Sequence, residues 1–171
     1  MTQNLKVLNS KEIKHIYEQL QTQFGFEGKL DVAFLLSEKK ERIYIFTKDL
    51  ANIDISSLRV DTMGLYFATM YEDHLRLTIE GTQLIGPQCT KNVIDLTKKE
   101  MQTWMLGEKL ALSEIESAPS DMKGFVIMRY GKNYIGCGKV GGELILNYIP
   151  KTRYIHALYD DIIIDDGAVK E

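Results

Sequence analysis

The apolar positions near the start of the chain predict one amphipathic helix. They recur at the three- and four-residue spacing of a single helical face, at Ile13, Ile16, Tyr17, Leu20 and Phe24. Asn9 or Ser10 can cap the first turn, because a short polar side chain accepts hydrogen bonds from the unpaired backbone amides there. Gly25 can end the helix in the left-handed conformation.

After this helix the pattern changes to runs rich in β-branched and aromatic residues, which predict strands. Four strands and then a helical turn are predicted in this order: 30–37, 42–47, 65–70, 74–79 and 81–86. The first two strands flank a short charged turn at 38–41 and should pair as a hairpin. Residues 1–90 are therefore predicted to form an α+β domain.

The second half of the chain predicts a small β-barrel with one short helix. Thr97 and Glu100 have the spacing of a capping box, and the helix that they begin should end at Gly107. Strands separated by polar or glycine-rich turns are predicted at 92–96, 124–130, 134–140, 143–149 and 153–158. One helix among five short strands is the content of a small barrel. The whole chain is therefore predicted to be α+β, with a barrel at 91–158 and an acidic tail at 159–171.

Length and composition place the chain among ordinary globular proteins. Its 171 residues, 44% of them hydrophobic, suffice for one domain or two small ones. The longest purely apolar run, 32–36, is far too short to span a membrane, and the N-terminus lacks the pattern of a secretory signal. Cys89 and Cys137 are far apart and form no CxxC motif, which argues against a disulfide framework or a zinc site. These features predict a cytoplasmic protein without a metal.

The net charge of −3 is unevenly distributed. Residues 1–90 carry ten basic against twelve acidic side chains, residues 91–156 carry ten against seven, and residues 157–171 carry one against five. Within 123–156 there are six basic side chains and a single acidic one, Glu143. Such a segment can face the phosphates of a nucleic acid, or it can be a solvated surface that happens to be basic, and charge alone does not decide.

Two motifs raise the question of catalysis. Gly136, Gly138 and Gly141 match the G-x-G-x-x-G spacing of dinucleotide-binding proteins, but that site needs a helix after the loop, and the following residues alternate like a strand. The glycines instead predict close backbone approach in a curled sheet, or the approach of a ligand phosphate next to it. Cys137 and His156 can meet as nucleophile and base, yet Cys137 lies in a predicted strand, where a small buried side chain is usual. We therefore predict no enzymatic activity and no cofactor.

The segment 139–156 combines cations with flat side chains. Pro150 ends the preceding strand, so Lys151 and Arg153 should emerge on an ordered edge. Flat side chains stand among these cations, at Tyr148, Tyr154 and His156. Cations that bind phosphates, together with flat groups on which bases stack, are the chemistry of RNA-binding surfaces. The alternative is a core strand whose cations reach solvent.

A glycine-rich step and a basic stretch carry a family resemblance. The matching residues follow the patterns G-x-G-K-V and P-K-x-R, at Gly136, Gly138, Lys139, Val140, Pro150, Lys151, Arg153 and Ile155. In this pattern the segment 131–155 resembles the PUA-type domain that ends many RNA cytosine-5 methyltransferases of the NOL/NOP/Sun group. Tyr154 stands where a second arginine is common in that group, and the chain contains no Pro-Cys catalytic motif. The resemblance implies a PUA-like domain that binds RNA.

Residues 63–110 carry a second resemblance. A glycine-containing strand, a turn, the sequence LRLTIEG and a helical turn lead to the first barrel strand, and the sequence WMLG ends the barrel helix. This layout is similar to that of the Nip-seven family of ribosome-biogenesis factors. The resemblance implies a pre-PUA domain at 1–90 followed by a PUA-like domain, with ribosome assembly or RNA modification as the context.

Together these observations predict a non-catalytic RNA-binding protein that acts in rRNA processing or modification, or in ribosome biogenesis. Its predicted partners are RNA (rRNA or tRNA) and either a ribosome-assembly factor or a separate RNA methyltransferase, with no membrane. Phosphate contacts are predicted at Lys109, Arg129, Lys132, Lys139, Lys151 and Arg153. Base or sugar contacts are predicted at Tyr154 and His156, with Asn147 as a further polar candidate. The alternative is a protein-interaction adaptor that uses the first domain and the acidic tail.

Overall fold

The structure, a computed structural model, describes residues 5–49, 64–119 and 122–155. The chain divides into two compact units, residues 1–91 and 92–171. Among the described residues, each unit contains its own five-stranded sheet and its own helical segments. The mixture of helices and sheets agrees with the predicted α+β class.

The first unit is an antiparallel sheet with two helices. Its elements are β1 (Leu5–Val7), α1 (Ser10–Phe24), β2 (Ala33–Ser37), β3 (Arg42–Phe46), β4 (Leu65–Met70), β5 (Leu75–Leu77) and α2 (Ile79–Ile85). The strands pair in sequence order, β1-β2-β3-β4-β5, each antiparallel to the next. The predicted hairpin at 30–47 is confirmed, with a 3-10 turn at Glu38–Lys40. The three-residue strand β1 was not predicted, because it is too short to show alternation.

Helix α1 begins and ends as its sequence predicts. Of the two possible caps the structure uses Asn9, whose side chain accepts from the amides of Lys11 and Glu12 at 2.9 and 3.1 Å. The Glu12 carboxylate accepts from the Asn9 amide at 2.9 Å and completes a capping box. Gly25 ends the helix with φ of 64°. On the inner face, Gln23 exchanges two hydrogen bonds with the Leu75 backbone and so fixes α1 to β5.

The second unit is a mixed sheet with one short helix. Its elements are β6 (Val93–Asp95), α3 (Lys98–Met105), β7 (Leu110–Ala111), β8 (Gly124–Tyr130), β9 (Asn133–Gly141) and β10 (Leu144–Asn147). The strand order is β6-β8-β9-β10-β7. Strands β6 and β8 are parallel, and the other pairs are antiparallel. The Thr97–Glu100 capping box is present at the start of α3, as predicted.

The core of the second unit depends on a tryptophan and a glycine. Trp104 on α3 is fully buried. A side chain at Gly138 would place its Cβ 2.6 Å from Ile145 Cγ2 and 2.9 Å from Trp104 Cη2. Gly138 thus lets the backbone of β9 approach the indole ring, which confirms the prediction that glycine permits close approach here and accounts for one glycine of the G-x-G-x-x-G match.

The last predicted strand, 153–158, is wrong at its start. Lys151–Arg153 forms a 3-10 turn, because the amides of Arg153 and Tyr154 turn back to the carbonyls of Pro150 and Lys151 instead of pairing with a strand. Residues 156–158 lie outside the described part of the chain. The fifth strand of the sheet is instead the two-residue β7, which pairs with β10 and is too short to be predicted from alternation.

None of the helices in the ranges 5–49, 64–119 and 122–155 has the length and apolar character needed to cross a membrane.

Candidate nucleic-acid interface

The basic turn, which we define as residues 150–155, is fixed to the end of helix α3. Its own hydrogen bonds run from Arg153 N to Pro150 O at 2.8 Å and from Tyr154 N to Lys151 O at 3.2 Å. Ile155 N then donates to Met105 O, the last residue of α3, at 3.0 Å. Lys151 and Arg153 are both exposed. The structure therefore presents these two predicted cations on an ordered turn.

Tyr154 packs against a glycine in the loop after α3. Gly107 has φ of 87°, and a Cβ built there would lie 2.2 Å from Tyr154 Cζ. Only a residue without a side chain lets the Tyr154 ring occupy this position. Tyr154 is half-buried. Part of its ring is therefore engaged with the protein, and its predicted contact with a base stays a prediction.

Asn147 connects β10 to the same loop. Its side-chain amide donates to Trp104 O at 2.7 Å and to Glu108 O at 3.1 Å. Its Oδ1 atom accepts from Ile149 N at 2.9 Å. Because both amide hydrogens bind backbone carbonyls, Asn147 has a structural role, and we do not include it among the proposed RNA contacts.

These bonds also affect the electrostatics at the end of α3. Carbonyl oxygens at a helix C-terminus carry partial negative charge and repel phosphates when they point to solvent. Here Trp104 O accepts from Asn147 and from Gly107 N, and Met105 O accepts from Ile155 N. The carbonyls beside the basic turn are therefore satisfied within the protein, which weakens their repulsion of an approaching phosphate.

Arg129 is held by an acidic partner. It faces Asp95 across the parallel pair β6–β8, with Nε to Oδ1 at 2.5 Å and Nη2 to Oδ2 at 2.6 Å. The hydrogen bonds from Arg129 hold the pKa of Asp95 below its usual range. The hydrogen bonds that Arg129 makes with Asp95, and then with Tyr134, raise the pKa of Arg129 above its ordinary value. The pair adds little net charge to the surface, and the predicted phosphate contact of Arg129 stays a prediction.

This ion pair leads to a pH-dependent prediction for Asp95→Asn. At pH 7 the substitution should lower the free energy of unfolding by about 0.2–1 kcal/mol, since both side chains are partly solvated. A carboxyl whose pKa is lowered by folding stabilises the protein above its unfolded value of about 3.9 and loses this effect as pH falls through the folded value. Urea unfolding at several pH values should show that the free energies of unfolding of the parent and the variant converge as pH falls below about 4. A constant difference down to low pH would contradict this assignment.

The remaining predicted cations are spread over the second unit. Lys132 is exposed in the turn between β8 and β9, and Lys139 lies near the other end of β9, seven residues or about 23 Å along an extended strand. The ammonium of Lys139 lies 5.4 Å from the centroid of the Phe125 ring. Lys109 lines a separate cavity of about 430 Å³ together with Lys99 and Glu100. The sequence grouped these cations as one surface, whereas the structure separates them.

His156 and the acidic tail lie outside the described residues. Their predicted roles, a base or sugar contact for His156 and partner binding for the tail, stay predictions.

The cysteines show no sign of activation in the described part of the chain. Cys137 is 3% exposed, and its thiol donates to Gly138 O at 3.6 Å. Burial raises the pKa of the Cys89 thiol to about 12, so this group is protonated at neutral pH and a poor nucleophile. Among the described residues, no group of three or more His, Cys, Asp and Glu side chains is placed to bind a metal ion.

Tyr148 is absent from the residues predicted to contact RNA, although it was noted among the flat groups. Strand alternation placed it with the apolar residues Leu144 and Leu146. In the structure β10 ends at Asn147, and Tyr148 is 37% exposed. The feature of the sequence that could have predicted this exposure is the proximity of Pro150. Pro150 ends the strand and brings Tyr148 to the start of the basic turn.

Comparison with known proteins identifies a family model and several proteins to which this chain is similar. The family model described as the methyltransferase RsmF PUA domain matches residues 91–155. Ribosomal RNA small subunit methyltransferase F of Vibrio campbellii is 27% identical over 143 residues, which are 84% of this chain and 29% of that protein. The same-named protein of Aeromonas hydrophila is 24% identical and is covered to 28% of its length. The chain thus spans less than a third of these relatives, and the match extends beyond the second unit.

A solved structure supports the fold. A conserved PUA domain protein from Thermoplasma acidophilum superposes with a TM-score of 0.56 at 12% identity, over 84% of this chain and 82% of that one. The predictions of an α+β fold and of a PUA-like domain resembling that of Sun-type RNA methyltransferases are confirmed. The resemblance of the first domain to the Nip-seven family stays a prediction.

Proposed function

We propose that this chain is an RNA-binding protein of rRNA modification or ribosome biogenesis, and that its PUA-like unit binds RNA through the basic turn. The observation that carries the proposal is the attachment of this turn to Gly107 and to the end of α3, which orders the backbone that carries two exposed cations. The similarity of the same residues to a PUA domain found in rRNA methyltransferases supports RNA as the ligand.

Cations on an ordered backbone make a better phosphate site than cations on a flexible segment. A lysine or arginine on a flexible segment loses conformational freedom when it binds, whereas the anchored turn has already ordered its backbone. Arginine adds a fork of donors that matches the oxygens of a phosphate. We assign phosphate contact to Lys151 and Arg153, with Lys132 and Lys139 as outlying contacts along the strand path. This spread suits an extended RNA strand better than a single phosphate group.

We further propose that this chain binds its RNA without catalysing a reaction. The relatives are rRNA methyltransferases, and the chain matches less than a third of their length. The buried Cys137 and the protonated Cys89 support a non-catalytic role.

The RNA bound by this chain would be rRNA or tRNA, and its protein partner would be a ribosome-assembly factor or a separate RNA methyltransferase. The absence of a disulfide at Cys89 and Cys137, both in the described part of the chain, fits a cytoplasmic location. We assign the domains as 1–90 and 91–158, followed by the acidic tail.

A salt titration of RNA binding tests the proposal. If the four assigned cations each neutralise one phosphate of a single-stranded RNA, the slope of log affinity against log salt should be about −3, from roughly −0.7 per contact. The measurement is fluorescence anisotropy of a labelled oligoribonucleotide with the full chain between about 50 and 200 mM salt. A flat dependence, or no binding at the lowest salt, would favour the adaptor hypothesis instead.

A further inference from the structure

The basic turn is preceded by an exposed aromatic side chain with a cation close by. Tyr148, which directly follows β10, is 37% exposed. Leu144, the first residue of β10, is 40% exposed. Tyr148 lies two residues before Pro150, where the basic turn begins. A partly exposed aromatic ring beside cations can stack with a flat group of a ligand.

A buried phenylalanine organises this position. Phe125 on β8 is 3% exposed, and its ring contacts the Tyr148 ring at a centroid distance of 5.7 Å and an interplanar angle of 75°. The ammonium of Lys139 lies 5.4 Å from the same Phe125 ring. Lys139 is the direct cross-strand partner of Phe125, so the cation and the tyrosine are held by one rigid side chain. An edge-to-face contact and a cation–π contact are both favourable geometries for such neighbours.

The arrangement matches the chemical parts of one nucleotide. A flat ring at the surface offers a stacking partner for a nucleobase, and a nearby ammonium offers a partner for its phosphate. Because Phe125 orients the tyrosine before binding, little side-chain freedom is lost when a base stacks on it. Bases within a duplex are already stacked on their neighbours, so only an unpaired base can use such a ring.

We propose that Tyr148 is a stacking platform for an unpaired base of the bound RNA, with Lys139 and Lys151 binding flanking phosphates. This inference rests on the proposed function and narrows its ligand to single-stranded RNA or a single-stranded loop. The basic surroundings favour RNA over a protein segment as the occupant, because Lys139 contacts the Phe125 ring that supports Tyr148 and Lys151 follows Tyr148 by three residues. Glu143 is the one acidic side chain in the sequence between residues 123 and 155.

Three variants of the full chain and two oligonucleotides test the stacking. Tyr148→Phe keeps the ring, Tyr148→Leu keeps apolar cover over Phe125 but has no flat surface, and Tyr148→Ala removes both. Each is titrated with a short labelled oligouridylate and with the same ribose-phosphate backbone lacking bases. The Leu and Ala variants should bind the oligouridylate about five- to a hundredfold more weakly than the parent, whereas the Phe variant stays within about twofold. On the abasic strand all four proteins should bind alike.

The controls separate this inference from the proposed function. Thermal unfolding of each variant shows whether the fold is retained, and the Leu variant keeps the test valid if the Ala variant unfolds. Equal binding of oligouridylate by the parent and the Leu variant overturns the stacking proposal while leaving RNA binding intact. Equal binding of the abasic and base-containing strands by the parent overturns it as well. A parent that binds neither strand at low salt rejects the proposed function itself.

Discussion

Replacing Lys151 and Arg153 together by alanine should lower the affinity for single-stranded RNA about ten- to a hundredfold. Each hydrogen-bonded contact to a phosphate contributes about 1 kcal/mol net, and the loss of two such contacts lowers an affinity by roughly thirtyfold. Both side chains are exposed, and alanine at these positions retains the backbone hydrogen bonds donated by Arg153 N, Tyr154 N and Ile155 N. The free energy of unfolding should therefore change by less than about 1 kcal/mol. Anisotropy titrations and urea unfolding of the same preparations measure the two quantities.

A matched control removes the same charge elsewhere in the unit. Lys98 and Lys99 are exposed in the first turn of α3, away from the basic turn, so their double alanine variant should lower the affinity by less than about threefold through long-range electrostatics alone. If both double variants weaken binding equally, the RNA responds to overall charge and not to the basic turn. If the Lys151 and Arg153 variant unfolds early, these side chains are structural and their assignment to RNA is wrong.

Replacing Trp104 by alanine should destabilise the second unit by about 3–5 kcal/mol. The indole is fully buried, packs against the backbone at Gly138, and donates through Nε1 to Ile135 O at 3.4 Å. Its removal leaves a large cavity in the core of the second unit. A domain of this size has a total stability of roughly 5–15 kcal/mol, so much of the second unit should open.

Hydrogen exchange measured by mass spectrometry locates the effect of this substitution. If the two units fold independently, peptides from 92–155 should lose protection while peptides from 5–49 keep it. Trp104→Phe retains most of the apolar volume and loses the Nε1 donor, so its loss of stability should be much smaller, about 1–2 kcal/mol. Equal loss of protection in both units of the Trp104→Ala protein would show that the chain unfolds as one cooperative body and would reject the two-domain assignment.

The elements that the sequence predicted well are those determined by local interactions. The capping residues of α1 and α3, the left-handed Gly25 and the longer strands all depend on side chains within a few positions of each other. Local hydrogen bonds and apolar periodicity follow from the order of residues alone, so a single sequence contains the information. The short strands β1 and β7 lack this local signal, because two or three residues show no periodicity and form strands only through their partners.

Composition and local pattern by themselves determined the α+β class, a basic second half and the residues that could contact RNA. Only the tertiary structure decided which of these residues are available. It places Arg129 against Asp95, uses Asn147 as a bridge between β10 and the loop after α3, and packs Tyr154 on Gly107. It also exposes Tyr148, which alternation had assigned to an apolar face. The physical reason is that a side chain's partners in the folded chain are often more than 30 positions away in the sequence, as Asp95 is from Arg129 and Trp104 from Asn147, and only chain folding brings them within hydrogen-bonding distance.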